Sequence, residues 1–170
     1  ASQFAMQQRI TLNTLMQAVW ALVLKQRTGQ SQVTFGVTVA GRPAELPGAD
    51  RILGLFINTL PVAVTFRPEW TVGQWLHDLQ LQNLASREHE QAALYVIQLW
   101  SGYQRAGLFD SIVVFENYPV DATLQQHAPG GLTFSAVKVH ETTHYPMTVS
   151  VMENDGLVLH FGYARAAFEL

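Results

Sequence analysis

The sequence predicts an α/β (α+β) domain, a mixed β-sheet packed with helices. Three features lead there. Helix-spaced apolar stripes alternate with extended apolar segments early in the chain, and strand-like segments dominate late. No internal repeat or low-complexity tract breaks the pattern.

In the first helix, Leu12, Leu15, Val19, Leu22 and Val23 recur at helical spacing, with Thr11 placed to cap it and Gly29 to end it. Met16 and Trp20 lie on the other side, which predicts burial on most faces. Val33, Phe35, Val37 and Val39 alternate with Thr34, Gly36 and Thr38, the period of a strand. Residues 41–50 hold two prolines and two glycines and predict a loop. Ile57 to Phe66 reads as extended, with Val62, Val64 and Phe66 on one face. Thr71-Val72-Gly73-Gln74 has capping-box form, and Val72, Trp75, Leu76 and Leu79 continue it as a helical stripe that fades near Glu88 to Gln91. A short helix, Leu94 to Trp100, precedes the breaker Ser101-Gly102. Ile112 to Phe115 is a continuous apolar run, typical of a strand covered on both faces. Asp121 to Gly131 predicts a loop. Strands are expected near Leu132 to Val139, Tyr145 to Met152 and Leu157 to Tyr163. Asn154-Asp155-Gly156 forms a natural hairpin turn between the last two.

Composition excludes several chemistries. Charged residues make up only 14% of the 170, against about 25% in ordinary soluble domains. Two readings fit this sparse charge. The fifteen glutamines, with Thr and Ser, supply an uncharged polar surface, or part of the surface is built to meet another domain. Net charge is −3, without a basic cluster, so no electrostatic footprint for nucleic acid exists. Cysteine is absent, which removes disulfides, thiolate metal sites and a cysteine nucleophile. No apolar run reaches membrane-spanning length, and Ala1 to Arg9 is no signal peptide. The default expectation is a soluble, cytoplasmic protein.

His140-Glu141-Thr142-Thr143-His144 matches the H-E-x-x-H zinc motif letter for letter. That spacing works on a helix, which brings both imidazoles to one face. Here a strand-like segment leads in, two β-branched threonines intervene, and Pro146 blocks a helix running onward. On a strand, residues four apart are about 13 Å from each other, too far for one metal. No metal site is expected. The nucleophile elbow, phosphate-binding loop and dinucleotide fingerprint are also missing.

Four stretches, in order, resemble the second half of condensation domains of non-ribosomal peptide synthetases. Phe35 to Pro43 resembles the family's strand followed by GRP. Leu53 to Val62, containing Gly54-Leu55-Phe56-Ile57-Asn58-Thr59, is close to the motif GxFVNT. Glu88 to Tyr95 sits where HQDYPFE is expected, with alanine for the usual proline and without the aspartate and phenylalanine. Phe109-Asp110-Ser111 to Tyr118-Pro119, followed by Thr143 to Pro146, completes the set. Together the stretches span Thr11 to Tyr163.

The resemblance implies one lobe of a CoA-dependent-acyltransferase-like fold (the chloramphenicol-acetyltransferase type). In that family two lobes enclose a tunnel, and carrier domains deliver thioester-bound aminoacyl and peptidyl groups from opposite ends on phosphopantetheine arms. The acceptor amine attacks the donor thioester and forms an amide. The family's catalytic signature, HHxxxDG, belongs to the N-terminal lobe and does not occur here. Residues 1–170 are therefore expected to form a C-terminal lobe with no catalytic residue of its own, inactive in isolation, with no cofactor held permanently. Expected partners are the N-terminal lobe and the donor and acceptor carrier domains.

By the same resemblance, Arg42 is the candidate for a salt bridge with the aspartate of HHxxxDG, as active-site support; an ordinary loop arginine is the alternative. Asn58 and Thr59 match the pair along the tunnel floor, where an amide and a hydroxyl would orient a substrate; alternatively they satisfy main chain around Pro61. Epimerization and cyclization domains share the fold, but Asn58-Thr59 after Gly54-x-Phe56 favours condensation. A non-catalytic module that docks carrier domains is the rival from another class.

Overall fold

The computed structural model describes residues 1–40, 47–48, 51–102, 107–116, 143–153 and 156–168 of the 170-residue chain. Helices α1 (Ser2–Gln7) and α2 (Leu12–Thr28) precede strands β1 (Gln32–Ala40) and β2 (Ile57–Thr65). Helices α3 (Val72–Arg87) and α4 (Leu94–Trp100) follow, then β3 (Ser111–Glu116), β4 (Met147–Glu153) and β5 (Leu157–Tyr163), and a 3₁₀ turn at Arg165–Ala167. The expected loop 121–131 and strand 132–139 lie outside the described residues, as do Asn154 and Asp155 of the hairpin turn.

The strands form one sheet in the order β2-β1-β3-β4-β5. The three inner strands are parallel and both edge strands are antiparallel to their neighbours. This is the mixed sheet the sequence predicts. The run Ile112 to Phe115 lies on the central strand, where Ile112 and Val113, pointing to opposite faces, are both buried.

Local chemistry fixes the helix ends. Thr11 Oγ1 accepts from the Thr14 N–H at 3.1 Å, and Gly29 takes a left-handed φ of 69° while donating to Lys25 O. At α3 the capping box is complete: Gln74 N–H donates to Thr71 Oγ1 at 3.3 Å and Thr71 N–H to Gln74 Oε1 at 2.9 Å.

On one face of the sheet, Val33, Phe35 and Val37 lie opposite Val64, Val62 and Leu60 on β2, all buried under α2 and α3. The buried side of α2 is not the bulky stripe expected from periodicity. Val19, Leu22 and Val23 are exposed, while Thr14, Gln17, Ala18 and Ala21 are inside. The reason is polar. Thr14 Oγ1 donates to Gln80 Oε1 at 2.8 Å, and Asn83 Nδ2 donates to Gln17 Oε1 at 2.9 Å. Buried polar groups need partners, α3 supplies them, and the alanines let the backbones approach. Leu12 and Leu15 of the stripe still pack against the core, while Val19, Leu22 and Val23 face outward. Val72, counted in the α3 stripe, is likewise exposed.

On the opposite face Gly36 sits against the Phe109 ring and Ile112. Phe109 in turn stacks on Tyr145 at 5.2 Å between ring centroids. Among the described residues, no helix packs on β5. Leu159 and Phe161 lie beside the buried Val151 and Val149 of β4, yet every residue of β5 is exposed.

Candidate functional site

Of the residues singled out by sequence, Asn58 and Thr59 lie at the start of β2, beside the end of β1. Asn58 lies opposite Val39, and Thr59 opposite Thr38, in the antiparallel pairing. Arg42 lies outside the described residues, so its expected salt bridge has no structural counterpart here.

Asn58 is tied to main chain. Its Nδ2 donates to Glu90 O and to Ala92 O, each at 2.8 Å, and its Oδ1 accepts from the Thr59 N–H at 2.9 Å. The opposite amide orientation would set Oδ1 against two carbonyl oxygens, so the network fixes the assignment. The main chain it serves is the turn between α3 and α4, more than 30 residues onward, together with the Thr59 N–H two residues before Pro61. The Thr59 hydroxyl has no hydrogen-bond partner among the described residues. Gly54 has open space where a Cβ would project.

Large apolar side chains flank this end of β2. Leu53 is 99% exposed and Leu55 91%, with Ile57 next along the chain. The neighbouring α4 exposes Tyr95, Leu99 and Trp100. Exposed apolar side chains thus lie beside Asn58, a second exposed apolar surface lies on β5, and further exposed apolar residues lie on the outer side of α2. Sequence periodicity had not pointed to that second surface, because its residues read as core.

A cleft of about 90 Å³ opens between α2, α3 and the β1–β2 pair, lined by Thr14, Gln17, Thr38, Asn83 and Arg87 among others. It has room for a few waters. Among the described residues no group of three His, Asp or Glu side chains is placed to hold a metal ion. His140 and Glu141 of the zinc-like motif lie outside them, and His144 occupies a bend before β4 and not a helix. No helix among the described residues is long and apolar enough to cross a membrane. Burial raises the Tyr145 phenol above its usual value of 10.0.

Comparison with known proteins gives a consistent result. The family model described as Condensation domain matches residues 1–170. One of the linear gramicidin synthase proteins of Brevibacillus parabrevis is 42% identical over 167 residues, covering 98% of this chain and 3% of that protein. The first condensation domain of the CDA synthetase superposes with a TM-score of 0.73 at 16% identity, covering 99% of this chain and 37% of that one. A four-domain non-ribosomal peptide synthetase bound to AMP and glycine superposes with a TM-score of 0.77 at 18% identity, covering 94% of this chain and 13% of that one.

Proposed function

This chain belongs to the condensation-domain family, and we propose that it is the C-terminal lobe of such a domain, acting in amide formation between carrier-bound thioesters. The carrying observation is the ratio of coverage: nearly all of this chain matches little more than a third of a solved condensation domain. The exposed apolar surfaces and sparse charge support the same reading, because a lobe needs a face for its partner. The partner would be the N-terminal lobe bearing HHxxxDG, in the cytoplasm, with donor and acceptor carrier domains docking on the pair.

In this reading the chain supplies walls and alignment, and the proton-handling group comes from the other lobe. Two tethered reactants held at short range gain through proximity, and exclusion of water protects the thioester. Arg42 would hold the aspartate of HHxxxDG by a charge-assisted hydrogen bond. Thr59, with its unengaged hydroxyl, is the described residue best suited to face a substrate carbonyl or amine.

The test uses the two-lobed domain with both carriers loaded and follows the amide product by mass spectrometry. Arg42→Ala is expected to lower the rate at least tenfold without changing carrier loading. An unaltered rate removes Arg42 from the site. Failure of the unmodified domain to form any amide refutes the function itself.

A further inference from the structure

We propose that Asn58 is a positioning residue that acts through the α3–α4 turn and touches neither tethered substrate. The inference rests on the condensation reading above and deepens it.

A carboxamide has two N–H donors and one oxygen acceptor. Both donors of Asn58 are committed to main-chain carbonyls, Glu90 O and Ala92 O, at 2.8 Å each. The oxygen is engaged by the Thr59 N–H at 2.9 Å. A substrate acceptor would have to displace one of the two Nδ2 contacts, and a substrate donor would have to reach the oxygen's remaining lone pair beside the Thr59 N–H.

The turn explains why the tie is needed. After α3, the N–H groups of Glu88, His89, Glu90 and Ala92 donate back to Ala85, Ser86, Arg87 and His89 within the turn. Those bonds use the turn's own donors and leave the carbonyls of Glu90 and Ala92 for Asn58. Helix α4 then starts at Ala93 with no side-chain cap, is seven residues long, and has no fully buried residue. So short a helix has little stability of its own. Its place beside β2 depends on how firmly the preceding turn is held. Asn58 therefore joins the segment resembling GxFVNT to the segment resembling HQDYPFE, across more than 30 residues of chain.

Ala93 provides an independent handle on the same device. Its φ of −65° is already that of proline, and its N–H makes no hydrogen bond among the described residues. Ala93→Pro should stiffen the turn without Asn58.

The experiment compares Asn58→Asp, Asn58→Ala, and Asn58→Ala combined with Ala93→Pro in the two-lobed domain with loaded carriers. Amide-forming kcat and the KM for the acceptor carrier are read alongside hydrogen exchange of residues 88–100. Aspartate keeps the shape and the acceptor but cannot donate, and it sets a charge against two carbonyl oxygens. Both single variants are expected to lose at least tenfold in kcat, with KM within twofold and exchange faster across 88–100. Ala93→Pro is expected to recover exchange protection and part of kcat in the Asn58→Ala background. A raised KM with unchanged exchange, or no recovery by proline, overturns the proposal. If the unmodified domain forms no amide, the condensation reading fails, while the exchange data still decide whether Asn58 holds the turn.

Discussion

Substituting Gly36 by alanine tests the packing of the sheet's second face. A Cβ at position 36 would lie 2.7 Å from Phe109 Cζ and 2.8 Å from Ile112 Cγ2, where carbon atoms prefer about 3.5–4.0 Å. Both neighbours would have to retreat by about 1 Å. Phe109 is stacked on Tyr145, and Ile112 sits on the central strand, so neither can move freely. Overpacking of this kind costs about 1–3 kcal/mol. Alanine recovers about 0.5–1 kcal/mol over glycine in a strand, which leaves a net loss centred on about 1 kcal/mol, within about 0–2.5 kcal/mol. Urea unfolding followed by tryptophan fluorescence should show the midpoint falling by about 0.5–1 M, with the slope unchanged. Gly162 on β5 is the control, since its Cβ would meet Thr148 Cβ at an ordinary 3.8 Å. Gly162→Ala is expected to be neutral or slightly stabilising. Equal stability of the two variants would refute the reasoning.

Thr71→Ala removes the half of the capping box that the Thr71 hydroxyl accepts, leaving the main-chain N–H on Gln74 Oε1, and should cost about 1 kcal/mol, read as a lower thermal midpoint. Ser111→Ala leaves the Trp20 indole N–H, which donates to Ser111 Oγ at 3.1 Å, without its partner. It should cost about 1–3 kcal/mol, and Ser111→Thr should recover part of it. The Tyr145 phenol has a folded pKa raised by burial above its usual 10.0. Its contribution is therefore complete below pH 10 and is lost as pH rises from there through the folded value. Stability measured against pH should fall less steeply above pH 10 in Tyr145→Phe than in the unmodified chain; identical slopes would show that the phenol does not titrate as inferred.

The fold was readable where one residue type dictates one backbone state. Thr11, Gly29 and Thr71 mark their helix ends because capping is local, and Ile112 to Phe115 marks the central strand because burial on two faces excludes polar residues. The buried side of α2 was not readable from periodicity. Its orientation is set by Gln80 and Asn83, whose hydrogen bonds to Thr14 and Gln17 cross more than 60 residues of sequence. The site was legible as motifs and not as contacts. Asn58 stood out through its neighbours Gly54 and Phe56, yet the carbonyls that engage it belong to a turn whose residues carry no sequence signal for accepting them. The β5 surface escaped notice for a related reason: Leu159 and Phe161 look like core, yet both are exposed and no helix among the described residues packs on β5.

The central claim is that this chain walls a reaction whose proton-handling group lies on another lobe. Amide formation from loaded donor and acceptor carriers, measured with residues 1–170 alone and again with a separately produced N-terminal lobe added, tests it most directly. Product is expected only when both lobes are present. Turnover by residues 1–170 alone would contradict the account.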